Sequence, residues 1–552
     1  MLSFNTLDRR FAELAVSLQP SPSPGMAHYC RLVSALARDG HSCLDLARLA
    51  ELRWKDSDEE EDPGSDSHPV FVPEDYSQHP LLALHGGKLQ LSHLRDKESL
   101  VRRRLLQLAS DSLECRPESL DALDLLFPAS VFRKIDGSDT GLLNYQKVAA
   151  YAAIRSRLTV ITGGPGTGKT TTVRQLVKVL QEQNPGLRVL LAAPTGKAVN
   201  RLSQSLHGDG FKIRTLHRLL EYHHGSGDFR RNASRPLAAD LVIIDEVSMV
   251  GLELFASLLS ALPASCRLVL LGDKDQLAAV ETGSVLADLC AHAAPLNRFS
   301  DAFRAAYPQS WRLAPSPDSH PLRDHVVVLE YTYRNESAPE LARAAAAINS
   351  GQLPELPRQS PEDWLESRRA DFRPRTGSFD ADEVGRLLAS ARILAAVNQG
   401  ALGVSSLNQL ACQKLFRQST EQNFAGKQII ITANSYENAL FNGDTGVLLP
   451  DSSGELRAWF PDPASPDGLR HFAPAFLPPH QCAFAISIHK SQGSEYRDIL
   501  CVLPHRDNPV LTRSLVYTAV TRAQQKASLF DPSQLLRQAV ARVNQPHTGL
   551  FA

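Results

Sequence analysis

The run Gly163-Gly164-Pro165-Gly166-Thr167-Gly168-Lys169-Thr170 constrains this chain more than any other stretch. It satisfies G-x-x-x-x-G-K-[ST] at every fixed position, with the apolar run Leu158–Thr162 before it and a helical pattern from Thr171 to Leu180 after it. Strand, glycine-rich turn and helix in that order predict a loop whose backbone N–H groups converge on a phosphate. The helix N-terminus adds partial positive charge at the same point. Lys169 can reach the β/γ-phosphates and the Thr170 hydroxyl can ligate Mg²⁺, so residues Gly163 to Thr171 are the expected ATP cradle.

With 552 residues the chain is too long for one core, and three or four domains are expected. Its formal net charge of −1 gives no global basic signature, so any nucleic-acid site must be a local groove. The eight cysteines are scattered with no C-x-x-C pair, which argues against a zinc site, an iron–sulfur cluster or a disulfide framework and suggests a reducing compartment. No apolar signal region opens the sequence, and no uninterrupted apolar run reaches about 18 residues. The expectation is a cytoplasmic protein with no membrane span.

Residues 1 to about 135 read as a separate, mostly helical module, with helical spacing at Arg31–Arg38, Leu44–Glu51 and Leu100–Leu108. The acidic stretch Asp56–Asp66 reads as a solvated loop. The Pro-rich stretches Ser21–Gly25 and Leu353–Pro374 read as loops or linkers. From about 140, short apolar strands alternate with helices: Leu158–Thr162, Val189–Ala193, Leu241–Asp245 and Arg267–Leu271, then Val326–Leu329, Arg392–Val397 and Ile499–Val502. Their near-continuous apolar character predicts parallel sheets buried on both faces. Two such α/β units, about 140–325 and 326–552, imply two similar domains with a cleft between them. Short strands at Lys427–Thr432, Gly446–Leu449 and Glu455–Phe460 suggest a small β-barrel inserted at about 425–478.

An ATPase needs a second carboxylate site, a γ-phosphate sensor and positive charge for the transition state. The strand Leu241–Ile244 ends in Asp245 and Glu246; Asp245 can hold Mg²⁺ and Glu246 can activate the attacking water. Gln276, after Leu271-Gly-Asp-Lys-Asp, can hydrogen-bond the γ-phosphate and that water. Arg334 and Arg522 are candidates to reach the phosphates from the other domain. The amide of Gln146 can pair with N6 and N7 of adenine. Three segments are candidate DNA contacts: Pro194, Thr195 and Lys197; His217; and His489, Lys490, Ser491 and Gln492. Tyr222–Phe229 can form a small hairpin, either a wedge for a duplex junction or a plain exposed turn.

As a set, these segments resemble a superfamily-one DNA helicase, and more closely the RecD family, alpha subunits of exonuclease V (RecBCD). The resemblance is carried by Gly163–Thr172, Leu191–Ala198, Thr215–Leu220, Asp245–Met249, Leu271–Leu277, Asn442–Gly446, Ile488–Glu495 and Val516–Ala523. It implies two tandem RecA-like P-loop motor domains with ATP between them, single-stranded DNA crossing both, and 5′→3′ translocation in double-strand break repair. It also implies that Arg334 and Arg522 are arginine fingers, that Gln146 contacts adenine, and that the β insert is an SH3-like barrel. The short N-terminal module is similar to the domain that docks on RecB-like and RecC-like subunits in a heterotrimer working at duplex ends in the bacterial cytoplasm. No nuclease constellation stands out in the sequence, and the resemblance places DNA cutting in the RecB subunit. A stand-alone RecD-like helicase and a nucleotide-gated adaptor remain as other readings.

Overall fold

The computed structural model describes residues 2–56, 68–127, 143–206, 210–223, 225–279, 281–307, 313–317, 320–333, 338–375, 380–435, 437–462, 465, 467–543 and 548–551. Apart from Asp56, the acidic stretch expected to be a solvated loop lies outside them, and so does Arg334.

The N-terminal unit is α+β. Strand Leu2–Phe4 pairs in parallel with Trp54–Asp56, and a three-stranded antiparallel sheet joins Leu44–Asp45, Lys88–Leu91 and Leu82–His85. Helices Thr6–Ser17 and Met26–Arg38 cover one core built on Phe4, Ala12, Tyr29, Leu32 and Leu89. Asn5 and Asp8 close the first helix as a reciprocal capping box. The stretch 44–51, expected to be helical, instead starts as a strand paired with Leu89 and continues as a 3-10 turn capped by Asp45. Sheet pairing of Leu44 outweighs its helical spacing.

This unit's core ends near residue 91, earlier than the expected boundary at about 135. Helix Ser92–Ser110 sends Leu94, Val101, Leu105 and Leu108 into the core of the following domain, against Phe255, Leu258 and Leu259. Arg104 Nη2 donates to the Leu262 carbonyl at 2.9 Å. Helix Pro117–Leu126 joins the other face of that domain through Leu123, beside Leu176 and Leu180.

That domain is built on a six-stranded parallel sheet in the spatial order Val326–Val328, Leu158–Thr162, Arg267–Gly272, Leu241–Ile244, Val189–Ala193, Ile213–Thr215. Alternate residues of each central strand enter different cores: Val242 and Ile244 one, Leu241 and Ile243 the other. Both faces are therefore covered, which is why these strands read as unbroken apolar runs. Each fully buried Leu or Ile side chain contributes ~1.5–3 kcal/mol of transfer free energy. Val326–Val328, read from sequence as the opening strand of the second unit, pairs with Val160–Thr162 and completes the first sheet. The division between the two lobes therefore falls after it.

The second lobe holds a four-stranded parallel sheet in the order Ala485–Ser487, Ala391–Ala395, Tyr496–Val502, Ala523–Phe530. Between its strands the chain forms a separate five-stranded antiparallel sheet, in the order Leu469–Phe472, Leu456–Pro461, Thr445–Pro450, Gln428–Ile431, His480–Cys482. The Pro-rich stretch 353–374 is not only linker. Ser360 caps a helix Pro361–Ser367, with Pro361 at its first position, where the missing N–H is harmless. A short helix Arg369–Phe372 follows, and Trp364 and Phe372 are fully buried. Among the described residues, no helix is long and apolar enough to cross a membrane.

Candidate functional site

The loops that carry the predicted chemistry follow the C-terminal ends of the first sheet's strands, where open α/β sheets bind ligands. The turn after Thr162 needs left-handed backbone at Gly166 (φ +79°) and Gly168 (φ +83°), a region that favours glycine. Helix Lys169–Gln183 begins at the residue after Gly168, so its free N–H groups point into the loop. Lys169 Nζ donates to the carbonyls of Gly163 (2.5 Å) and Gly164 (3.2 Å). Thr167 Oγ1 donates to the Gly164 carbonyl at 2.8 Å. Thr170 is half-buried, Thr171 is exposed, and Pro165 lies on the rim. Gln146 is buried, and its Nε2 donates to the Thr167 carbonyl at 2.9 Å, so the amide lies on the loop itself.

Asp245 and Glu246 follow strand Leu241–Ile244, next but one to the strand before the phosphate loop. Glu246 is a non-glycine residue at φ +53°, a strained backbone that turns its side chain out of the strand direction, and its N–H donates to Asp245 Oδ1 at 2.9 Å. Burial pushes the Asp245 carboxyl up to about 6; the Glu246 charge adds to this, and Lys169 and Arg201 oppose it. Gln276 is buried, with Nε2 donating to Asp273 Oδ2 at 2.9 Å; among the described residues its Oε1 has no hydrogen-bond partner. Asp273 is also raised, chiefly by burial, and Lys169 again opposes the shift. A buried, crowded set of carboxylates set against one lysine, beside a threonine hydroxyl, is a donor set suited to a hard dication held with a polyphosphate.

The second lobe closes the cleft. A cavity of about 280 Å³ lies between the loop residues Gly163, Gly164 and Thr167 and the second-lobe helices Pro339–Asn349 and Arg513–Thr521. Tyr517 OH donates to Asp273 Oδ2 at 3.1 Å, and Asn349 Nδ2 donates to Asp275 Oδ2 at 3.1 Å. Arg522 follows the second of these helices and is fully buried. Its Nη1 donates to the Ser494 carbonyl at 3.3 Å, while Nε and Nη2 have no hydrogen-bond partner among the described residues. Burial lowers its pKa, and Glu246, Glu495 and Asp273 hold the charge in place. A guanidinium with two unsatisfied donors in a buried site is costly unless an anion completes it.

Of the candidate DNA residues, Lys197, Lys490 and Gln492 meet at the seam between the lobes, and His217 stands apart with its own hairpin. Pro194 precedes Thr195, whose hydroxyl caps helix Gly196–Ser205 by accepting from the Ala198 N–H. Lys197 Nζ donates to the Lys490 carbonyl at 3.3 Å, and its pKa is lowered by burial. His489 and Lys490 are half-buried, and burial lowers the pKa of both. Ser491 is fully buried and donates to the Ile488 carbonyl; Gln492 Nε2 donates to the Leu277 carbonyl of the first lobe at 2.9 Å. These two side chains thus brace the fold and the seam. His217 is exposed and clusters with Tyr222 (ring centroids 5.4 Å) and Phe229 (5.8 Å). Tyr222–His223 and Asp228–Phe229 pair antiparallel, the expected hairpin.

Four residues enter the site without having been singled out in the sequence: Asp273, Tyr517, Arg201 and Glu495. Asp273 and Tyr517 stood inside motifs already marked for Gln276 and Arg522. Arg201 lies four residues past Lys197, on the same helix face.

Comparison with known proteins fits this geometry. The family described as the RecBCD enzyme subunit RecD N-terminal domain matches residues 3–84, an AAA domain matches 146–282, and a UvrD-like helicase C-terminal domain matches 482–530. The RecBCD enzyme subunit RecD of Haemophilus influenzae is 33% identical over 74% of this chain and 72% of its own length. That of Mycolicibacterium smegmatis is 32% identical over 98% of this chain and 96% of its own length. The ATP-dependent RecD2 DNA helicase of Deinococcus radiodurans is 30% identical over 91% of this chain and 61% of its own length. These relationships show that the chain belongs to the RecD family of ATP-dependent DNA helicases.

Proposed function

We propose that this chain is the 5′→3′ helicase subunit of a RecBCD-type helicase/nuclease that repairs double-strand breaks by homologous recombination in the bacterial cytoplasm. The observation that carries the ATP-driven part is Arg522: a second-lobe guanidinium, fully buried, held by carboxylates of the first lobe's nucleotide loops, with two N–H donors unspent. Charge that develops on a transferring phosphoryl group is what such donors fit.

In this reading Gly163–Thr171 cradle the nucleotide phosphates, Gln146 supports the loop and contacts adenine, and Lys169 and Arg522 meet the phosphate charge from opposite lobes. Thr170 and Asp245 would hold Mg²⁺, which supplies Lewis-acid stabilisation of the phosphate oxygens. Glu246 accepts the proton of the attacking water and Gln276 orients that water. Arg334 would be a second finger. Thr195, Lys197, His217, His489 and Lys490, with Pro194 shaping the turn, offer phosphate and base contacts to one strand across both lobes. Ser491 and Gln492 serve that surface through the backbone turn they hold. The five-stranded insert is read as an SH3-like barrel, and residues 2–91 as the face that docks on RecB-like and RecC-like subunits. The match of residues 3–84 to the RecD N-terminal domain favours this subunit role over a stand-alone RecD2-like helicase.

Co-expression with the two large subunits tests the assignment. A stable three-subunit complex whose single-strand-stimulated ATP turnover falls by about a thousandfold or more in Lys169→Gln is the expected result. A chain that ignores both subunits yet unwinds alone would support the stand-alone reading. Hydrolysis without strand separation would support the adaptor.

A further inference from the structure

Helix Gly196–Ser205 carries two cations one turn apart on one face, Lys197 and Arg201. Lys197 meets the Lys490 backbone of the second lobe. Arg201 stands between two glutamates of different lobes. Its Nη2 is 2.8 Å from Glu495 Oε1, and its Nη1 is 3.6 Å from Glu246 Oε1. The side chains of Glu495 and Glu246 are only 15% and 11% exposed, so neither charge is fully screened by water. Gln524 Nε2 steadies Glu495 at 3.3 Å. Lys197, Arg201 and Glu495 line one interlobe cavity of about 340 Å³, together with Asp444 and Arg470.

The two contacts of Arg201 are unequal. The one to Glu495 is a charge-assisted hydrogen bond; the one to Glu246 is too long to be one. One guanidinium shared in this way leaves the Glu246 lone pairs largely uncommitted. If the lobes part, Glu495 moves away with the second lobe while Arg201 and Glu246 stay together on the first.

We propose that Arg201 is a positioning residue that couples strand binding to ATP hydrolysis: with the lobes drawn together Glu495 takes Arg201 and releases Glu246, and with the lobes apart Arg201 pairs with Glu246 and restrains it. The proposal rests on the helicase reading above. In the step it controls, the water oxygen bonds to Pγ and the bond between Pγ and the β–γ bridging oxygen breaks. Its electron pair leaves with ADP, and the water proton passes to Glu246. A carboxylate hydrogen-bonded to arginine has its lone pairs turned to the guanidinium and is not aimed at the water. Lys197, one turn back on the same helix and a proposed strand contact, would link the strand to the switch.

The test compares ATP turnover by the full-length chain with and without a single-stranded oligo(dT), for the wild type, Arg201→Ala, Glu495→Gln and the double variant. Arg201→Ala is expected to raise the strand-free rate at least about fivefold and to bring the stimulation ratio close to one. Glu495→Gln is expected to lower the stimulated rate towards the strand-free one, through kcat rather than KM for ATP. The double variant should show the stimulation ratio of Arg201→Ala, because the coupling runs from Glu495 through Arg201. Arg201→Lys, which keeps the charge, should recover part of the stimulation, and this separates the switch from a general loss of structure. The proposal is overturned if Arg201→Ala lowers both rates and preserves their ratio, or if Glu495→Gln has the same effect with and without Arg201. Turnover that survives in Lys169→Gln would instead remove the ATP-site reading on which the proposal stands.

Discussion

The phenolic hydroxyl of Tyr517, on the second lobe, donates to the buried carboxylate of Asp273, on the first, at 3.1 Å. The same Asp273 oxygen accepts from the Gln276 amide at 2.9 Å. One carboxylate oxygen therefore ties the proposed γ-phosphate sensor of one lobe to a helix of the other. Tyr517→Phe removes a donor and leaves a buried carboxylate under-satisfied, which costs ~1–3 kcal/mol. Turnover is expected to fall by about tenfold or more with little change in nucleotide affinity. Steady-state kinetics beside equilibrium binding of ADP separate the two; an equal loss in both would show that Tyr517 is merely structural.

Arg522 gives the largest expected effect. Its Nε and Nη2 are buried without hydrogen-bond partners among the described residues, and under the proposed function they meet charge supplied by the substrate. Arg522→Ala should lower kcat about a thousandfold while nucleotide still binds, as loss of an arginine finger does. Arg522→Lys should rescue little, because one ammonium cannot present a planar fork. Single-turnover hydrolysis is the measurement, and near-wild-type rates in Arg522→Lys would contradict the finger role.

The pH dependence follows from Asp245. Burial raises its carboxyl pKa to about 6, so below that value a proton competes with a metal ion for the carboxylate. Apparent Mg²⁺ affinity should be flat above neutrality and weaken by about tenfold per pH unit on the acid side. Asp245→Asn should bind Mg²⁺ weakly at every pH. Magnesium titrations of ATP turnover at several pH values check this; a wild-type affinity that does not change through the acid range would be inconsistent with a ligating Asp245.

A stability prediction comes from another buried carboxyl of the first lobe. Asp288, on helix Val285–His292, has its carboxyl pushed up to about 7 by burial, with Glu98 adding and Lys88 opposing. The folded-state pKa lies above the unfolded value of about 3.9, so the group favours folding below that value, and this contribution is lost as pH rises through about 7. Asp288→Asn should therefore melt a few degrees higher than wild type in mildly alkaline buffer, with the gap closing in acid. A lower melting temperature in alkaline buffer would show that the ionised form is favourably held.

Much of this was legible in the sequence because the decisive motifs are local. The phosphate loop needs left-handed backbone at Gly166 and Gly168, and glycine spacing reveals that need directly. Strand-end acids announce themselves after unbroken apolar runs such as Leu241–Ile244. What stayed hidden depends on contacts far apart in the chain. Tyr517 reaches Asp273, and Arg201 reaches Glu495, only because the lobes close on each other. The early end of the N-terminal core was equally hidden, since the apolar face of helix Ser92–Ser110 does not say which core will take it. Val326–Val328 was assigned to the wrong lobe for the same reason: a buried parallel strand has no mark of its sheet.

The central claim is that ATP split between the two lobes drives a single strand past them in one direction. Strand separation measured side by side on a 5′-tailed and a 3′-tailed duplex, with Lys169→Gln as control, tests it most directly. The account predicts unwinding from the 5′ tail that disappears in Lys169→Gln. Preference for the 3′ tail, or unwinding undiminished in the variant, would contradict it.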